Sequence, residues 1–218
     1  MSGITALTND RSVPAGRLSN RTLLTFAALA GPGFFASASA QMLTRDGFDL
    51  RVHPISQLST GDLGWIQIAT FVLTGLGVIA FAVAHHRLVR VGVGRRLVPI
   101  FVAIFGVGLI VSGLFVMDPQ NGFPVGTPDG PVPAMSWHSI VHAAAAAVAF
   151  TAMAAACVVL VVRAIRCREV AAAIGNGLVG VFLLLPMSPN HASLQIAFTG
   201  VVAFTWTTIH ALKLRRTT

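Results

Sequence analysis

Apolar residues run through this chain in six long stretches, separated by short polar segments. Each stretch has roughly 20 residues, the length that an α-helix needs to cross the hydrocarbon core of a bilayer. The six stretches cover residues 22–43, 63–85, 97–117, 137–162, 170–187 and 192–212. The pattern therefore predicts an all-α integral membrane protein, in which a bundle of six transmembrane helices forms a single domain over residues 22–212.

Small residues recur at close spacing inside these stretches. Examples are Gly75 with Gly77, Gly106 with Gly113, and the alanine run at 143–147. Small side chains let helix backbones approach each other, which is how membrane bundles pack without a hydrophobic driving force between helices. The sequence therefore predicts close helix–helix contacts in the bundle.

Composition and charge support the same class of protein. Hydrophobic residues make up 55% of the chain and charged residues only 10%, against about a quarter charged in soluble domains. The mean hydropathy is +0.78. These values exclude a disordered chain or a coiled coil, and two cysteines, Cys157 and Cys167, make no disulfide framework. The net charge of +8 is assigned to arginine-rich cytoplasmic segments that face membrane lipids, and not to a nucleic-acid partner.

The cationic residues predict an orientation. Thirteen of the 15 Lys and Arg residues fall in the two tails, 1–21 and 213–218, and around the second and fourth loops. By the positive-inside rule both termini are cytoplasmic. Fourteen arginines against one lysine, with many Ala and Gly, indicate a GC-rich bacterial genome, hence the bacterial inner membrane. An alternative is cleavage of a signal peptide after Ala40, which would leave five spans and an outer N-terminus.

Candidate chemistry collects on the predicted outer side. His138 and His142 are spaced i and i+4, so on a helix they lie one turn apart on one face and can hold one metal ion. Asp118, at the end of the preceding span, is the third expected ligand, and His53 or His191 would complete the set. Zinc held in this way would lower the pKa of a bound water to about 7 and support hydrolysis.

Other interpretations of the same residues remain open. Without a metal, Asp118 with His53, His138 or His142 would act as general acid and base in isomerisation or cyclisation of a lipid-like or prenyl-type substrate. The non-enzymatic alternative is a structural, sensory or accessory membrane protein whose outer histidines bond to loop carbonyls.

Segment 53–59 is expected to be a re-entrant or interfacial segment over the outer mouth of the bundle. His53 with Ser56 or Ser59 would suggest a nucleophilic hydroxyl. The alternative is a turn held by its own hydroxyl-to-backbone bonds.

The interior of the spans limits the remaining functions. No Asp, Glu, Lys or Arg lies in mid-membrane, which argues against an ion transporter. The polar side chains inside the predicted spans include Gln67, Asn176 and Gln195. His85 and its neighbour His86 adjoin an arginine cluster that would meet anionic lipid head groups. No two histidines are expected at one depth on adjacent spans, so haem is not expected.

Three motifs in order carry a family resemblance. They are HPISQLSTGDLGWIQIATFVLTG at 53–75, FVMDP at 115–119 and WHSIVH at 137–142. With them, residues 23–212 resemble the domain of unknown function 998 family of six-helix bacterial membrane proteins. The resemblance implies the fold and no mechanism. That family often has an acidic–basic pair in its last loop, where this chain has SPNHASLQ at 188–195.

A weaker similarity points to the membrane metal hydrolases that include alkaline ceramidases and progestin receptors. In those proteins Ser, Asp and a His-x-x-x-His pair bind zinc, and Asp118, His138 and His142 keep that order here. This chain has six predicted spans where those proteins have seven, and its histidine pair is not on a last helix. This similarity is only an analogy, and it favours a metal site at Asp118, His138 and His142.

Overall fold

The structure is a computed structural model, and it describes residues 18–218. It contains six α-helices and one short 3-10 helix. The α-helices are α1 (Asn20–Thr44), α2 (Gly64–Leu88), α3 (Leu97–Leu114), α4 (Trp137–Arg166), α5 (Val170–Leu183) and α6 (Ala192–Arg215), and the 3-10 helix is Ile55–Ser59. The predicted all-α membrane fold is confirmed: α1, α2, α3, α4 and α6 are long and apolar enough to cross a membrane.

The six helices form a ring that is tightly closed along five of its six sides. Each helix from α1 to α4 packs on the next, and α6 packs on α1, whereas α5 and α6 touch only sparsely. A cluster of aromatic rings fills the centre, where Phe34 meets Phe71 and Phe204, and Phe204 meets Phe105. The packing therefore leaves one weak side, which we call the α5/α6 seam.

Glycines bring the backbones of neighbouring helices together, as the sequence predicted. A Cβ atom on Gly75 of α2 would lie 2.5 Å from the carbonyl oxygen of Gly106 on α3, and one on Gly106 would lie 2.7 Å from that of Gly75. Gly108 makes a similar approach to Ala149 on α4. Real Cβ atoms cannot occupy such positions, so these contacts require glycine.

The helices place the chemistry at two opposite ends. The basic end holds segments 89–96, 167–169 and 216–218, and Arg87 there donates to the carbonyl of Leu18 at 3.0 Å, joining α2 to the start of α1. The acidic end holds segments 45–63, 115–136 and 184–191. Ser193 at the start of α6 donates to the carbonyl of Val52 at 2.8 Å, so α6 begins at the acidic end.

Helix α5 differs most from its predicted span. The prediction covered residues 170–187, but the helix ends at Leu183 after 14 residues, a length of about 21 Å. The chain nevertheless passes from the basic end at Glu169 to the acidic end at Ser193, because residues 184–191 complete the path without helix. The cause is local: Pro186 and Pro189 lack the N–H that a continued helix needs.

The first predicted span is an integral part of the bundle. Ala38 lies two residues before the alternative cleavage point after Ala40, and it is fully buried inside α1. Gly31 of α1 packs against Phe204 of α6. Residues 22–43 therefore contribute one wall of the ring. Most of the predicted cytoplasmic tail 1–21, including Arg11 and Arg17, lies outside the described residues.

Candidate functional site: an acidic-end cover and a basic-end cavity

The acidic end is closed by a packed layer, which we call the cover and which consists of residues 45–63 and 115–136. Its centre is His53, only 3% exposed. The backbone N–H of Asp49 donates to Nδ1 of His53 at 2.9 Å, so Nε2 carries the proton and donates to the carbonyl of Asn121 at 2.9 Å. Both ring nitrogens of His53 are thus engaged: Nδ1 within residues 45–63, and Nε2 in a bond to the other half of the cover.

Two further side chains join the same halves. The amide nitrogen of Gln57, fully buried in the 3-10 helix, donates to the carbonyls of Gln120 at 2.7 Å and Phe123 at 3.2 Å. The guanidinium of Arg45 donates to the carbonyls of Leu58 and Thr60 and lies 4.8 Å above the centre of the Phe123 ring. Segment 53–59 is thus the buried layer over the mouth of the bundle that the sequence suggested.

Asp118 follows the end of α3, and His138 and His142 lie in the first two turns of α4. Asp118 accepts from the backbone N–H of Ser136 at 2.7 Å, and its own N–H donates to Oγ of Ser139 at 2.8 Å. The exposed ring of His138 packs on its neighbour Trp137. Asp118 therefore acts as an anchor for the N-terminus of α4.

His142 points into the bundle. Its Nδ1 donates to the carbonyl of Ser112 at 2.7 Å and approaches that of Phe115 at 3.1 Å, at the end of α3. The ring is buried against Phe71. These bonds satisfy carbonyls that the end of a helix leaves without intrahelical partners, as the structural alternative for the outer histidines expected.

The four predicted metal ligands do not form one cluster. His142 faces inward, His138 faces outward, and His191 lies exposed at the turn before α6. Within residues 18–218, no group of three or more His, Cys, Asp or Glu side chains is arranged to hold a metal ion. The predicted zinc site at Asp118, His138, His142 and His191 is therefore not assembled in this conformation, and the hydrolysis derived from it has no geometric support.

The anchoring role of Asp118 gives a pH-dependent prediction. Hydrogen bonding from Ser136 holds the pKa of the Asp118 carboxyl below its ordinary value. Because the folded pKa is depressed, the stabilisation is complete above the unfolded pKa of about 3.9 and is lost as the pH falls through the folded value. We expect Asp118→Asn to lower stability at pH 7 by about 1 kcal/mol, after discounting for solvent screening.

The measurement is the thermal unfolding of both proteins in detergent between pH 7 and pH 3. The wild type and the variant should converge towards the acid end of this range. Asp46→Asn is the matched control, since Asp46 is exposed at the same end, and it should leave the unfolding temperature unchanged. A gap between wild type and Asp118→Asn that stays constant with pH would contradict the anchoring role.

A cavity of about 740 Å³ lies on the other side of the molecule, at the α5/α6 seam. Its deep part is apolar and is lined by side chains such as Leu160, Val179 and Val202. Its shallow part reaches the basic end, at Glu169. From Glu169 to Val179 the cavity follows α5 for about 15 Å. We call it the basic-end cavity.

Polar groups line the basic part of this cavity. Arg163, Lys213, His85 and His210 face it together with Glu169. His85 is 6% exposed, and its Nδ1 is buried without a hydrogen-bond partner among the described residues. A buried nitrogen of this kind is costly, but it has no exposed surface, so a ligand in the cavity does not reach it.

The wall beside His210 is built by a chain of hydrogen bonds. The indole N–H of Trp206 donates to Oδ1 of Asn176 at 2.9 Å, which links α6 to α5 across the seam. His210 stacks on the Trp206 ring and donates through Nδ1 to the Trp206 carbonyl at 2.9 Å. The free nitrogen of His210, Nε2, is therefore an acceptor at the cavity wall.

The sequence analysis missed this cavity. It did not anticipate that His85 of α2 and His210 of α6, two helices that are not neighbours in the ring, line the same cavity. Asn176 was noted as a polar residue within a span, but its partner Trp206 lies 30 residues away. The spacing of Trp206 and His210, i and i+4, was the one local signal that these two residues share a helix face.

The fold and the cavity define the class of protein. It is a multi-pass helical membrane protein with a largely apolar cavity, and polar side chains line the part of that cavity at the basic end. Comparison with known families then makes the assignment specific. The chain belongs to the DUF998 family, described as a protein family of unknown function, whose model matches residues 28–213. The predicted resemblance is thereby confirmed. Comparisons with curated proteins and with solved structures gave no match.

Proposed function

We propose that the protein binds a lipid-like amphiphile in the basic-end cavity. The observation that carries the proposal is the combination of an apolar cavity of about 740 Å³ with four basic side chains at one end. This volume lies within the range of roughly 300–1,000 Å³ that is usual for small-molecule sites. The apolar part of the ligand would lie against Val179 and Val202, and its polar part against Arg163 and Lys213.

The position of the cavity supports a ligand that enters from the bilayer. The cavity lies at the α5/α6 seam, where the helices make the fewest contacts. The outward face of α5 is a row of exposed apolar side chains, namely Val170, Ile174, Leu178 and Val181. Such a face suits contact with lipid tails. A lipid can therefore reach the seam sideways, without passing through water.

The proposal includes a membrane topology. Helix α5 and residues 184–191 together make the sixth crossing, which returns the chain to the end where α6 begins. Both termini and the basic end then face the cytoplasm, in accord with the positive-inside rule. The membrane is the inner membrane of a bacterium, and the ligand comes from its cytoplasmic leaflet, where anionic lipids meet juxtamembrane arginines.

Filling the cavity tests the proposal. Gly175 lines the cavity, and a Cβ added there has no atom within 4 Å. Gly175→Phe is therefore expected to occupy the cavity without disturbing the bundle. We expect co-purified lipid, measured by mass spectrometry of the protein in mild detergent, to fall by about tenfold, with the unfolding temperature kept within about 3 °C.

Gly33→Phe is the matched control, because Gly33 lies in α1 away from the seam and a Cβ there also has no atom within 4 Å. It should retain the lipid content of the wild type. Equal lipid in all three proteins would overturn the proposal. An absorption spectrum of the same samples tests whether His85 and His210 bind haem. A Soret band that is present in the wild type and lost in His210→Ala would indicate that the ligand is haem and not an amphiphile.

The enzyme predicted from Asp118, His53, His138 and His142 stays a prediction. His53 has both ring nitrogens engaged, and Asp118 anchors α4. The geometry gives more support to the structural alternative for the acidic end, in which these residues hold the cover. We retain the lipid-like ligand that the sequence suggested, but we place it at the opposite end of the bundle.

A further inference from the structure

Charges of both signs face the basic part of the cavity without neutralising each other. Arg163 and Lys213 carry positive charge there and Glu169 carries negative charge. Among residues 18–218, the only side-chain ion pair within 4.0 Å is that between Arg51 and Asp49, at the other end of the molecule. The three cavity charges are thus available to a ligand that itself carries both signs.

The N-terminus of α5 adds donors to the same place. Glu169 is the N-cap residue, but no side chain caps the helix. The first helical bond runs from Ala173 N–H to the Glu169 carbonyl, so the N–H groups of residues 170–172 precede it. Ala171 and Ala172 line the cavity. Free N–H groups and the positive end of the helix dipole favour a phosphate.

Two histidines also line this part of the cavity, His85 of α2 and His210 of α6. His210 presents a free Nε2 to the same cavity. Two imidazoles, two cations, one carboxylate and a helix N-terminus therefore surround one polar volume.

We propose that the ligand is a zwitterionic phospholipid with a primary ammonium in its head group, an inference that rests on the proposed function. The phosphate lies between the α5 N-terminus, Arg163 and Lys213, and the ammonium lies at Glu169. A carboxylate ligand would leave Glu169 opposed to a second negative charge. A purely anionic phospholipid would leave Glu169 without a partner.

The test compares lipids that share acyl chains and differ in the head group. Purified full-length protein, stripped of lipid, receives phosphatidylethanolamine, phosphatidylglycerol or a free fatty acid in mixed micelles, and binding is followed by native mass spectrometry. We expect the wild type to prefer phosphatidylethanolamine over phosphatidylglycerol by about fivefold to tenfold, and to bind the fatty acid more weakly than either.

Two variants locate the head group. Glu169→Gln should reduce the preference between the two phospholipids to within about twofold, and Arg163→Gln should weaken both by about tenfold. Arg166→Gln is the control, since Arg166 lies in the same last turn of α4 but does not line the cavity. It should bind as the wild type does.

These experiments distinguish a failure of the proposed function from a failure of the head-group assignment alone. If no lipid binds, or if Gly175→Phe binds as well as the wild type, the cavity itself is not the site and the proposed function fails. If lipids bind and are lost in Gly175→Phe, but Glu169→Gln leaves the preference unchanged, only the head-group assignment is overturned. Equal or tighter binding of phosphatidylglycerol or of the fatty acid also overturns that assignment.

Discussion

Valine in place of Gly75 is expected to prevent the bundle from forming at 37 °C. The carbonyl oxygen of Gly106 lies 2.5 Å from the position of a new Cβ, and Cγ1 of Ile110 lies 2.6 Å from it. A side chain can turn away from such a clash, but a helix backbone cannot. Overpacking in a dense core costs about 1–3 kcal/mol, and we expect the upper end here because α2 and α3 must separate along their length.

Size-exclusion chromatography and thermal unfolding in detergent measure this effect. Gly33→Val is the matched control: it makes the same change inside a helix, at a position where a Cβ meets no atom within 4 Å. The control should elute and unfold like the wild type, apart from the small helix-propensity gain of valine over glycine. A Gly75→Val protein as stable as Gly33→Val would show that α2 and α3 do not cross at these glycines.

The second large effect is expected from Arg45→Met, which should loosen residues 45–63 of the cover and remove one of their contacts with residues 115–136. The change removes both donors from the carbonyls of Leu58 and Thr60. Each buried carbonyl left without a partner costs about 1–3 kcal/mol, and the contact with the Phe123 ring is lost as well. We expect a loss of about 3 kcal/mol, together with faster hydrogen exchange in residues 53–63.

The neighbouring arginine supplies the control for this experiment. Arg51 is 80% exposed and pairs with Asp49 at 2.7 Å, holding the pKa of that carboxyl at about 2. An ion pair in solvent contributes little to stability, so Arg51→Met should change neither the unfolding temperature nor the exchange of residues 53–63. Equal effects of the two substitutions would mean that the charge of Arg45, and not its two directed bonds, holds the cover.

These predictions imply that the two ends of the bundle have different roles. At the acidic end both ring nitrogens of His53, the amide nitrogen of Gln57 and the guanidinium of Arg45 are used in bonds within the protein, although Oε1 of Gln57 is buried without a partner among the described residues. At the basic end the charges of Arg163, Lys213 and Glu169 line a cavity and are not paired within 4.0 Å among residues 18–218. Unpaired charges that line a cavity are available to a ligand, which is why we place the function at the basic end.

Local pattern was sufficient for the helices themselves. An apolar stretch of about 20 residues must become a helix in a bilayer, because every backbone N–H and C=O has to be satisfied internally. The predicted spans therefore match all six helices at their starts to within two residues. Their ends differ more: α2, α4 and α6 run three or four residues further than predicted, whereas α3 and α5 end three or four residues early, and prolines follow these two within five residues.

The same local reasoning could not assign the histidines. His138 and His142 have metal-ligand spacing, but the spacing says nothing about which carbonyls lie opposite each ring. His142 is turned inward because the end of α3 places the Ser112 carbonyl 2.7 Å from its Nδ1. That partner lies 30 residues earlier in the chain, so only packing decides it. His85 and His210, which seemed unrelated, line one cavity because α2 and α6 both border the centre of the ring.

By itself, therefore, the sequence determined the class of protein, its family and the positions of its helices, since these follow from hydropathy and from contiguous motifs. The tertiary structure decided which polar groups are already satisfied and which are not. It closed the acidic end with His53, Gln57 and Arg45, and it left a gap between α5 and α6. The physical reason is that a cavity arises from the distances between helices, and no residue pattern within a single helix encodes those distances.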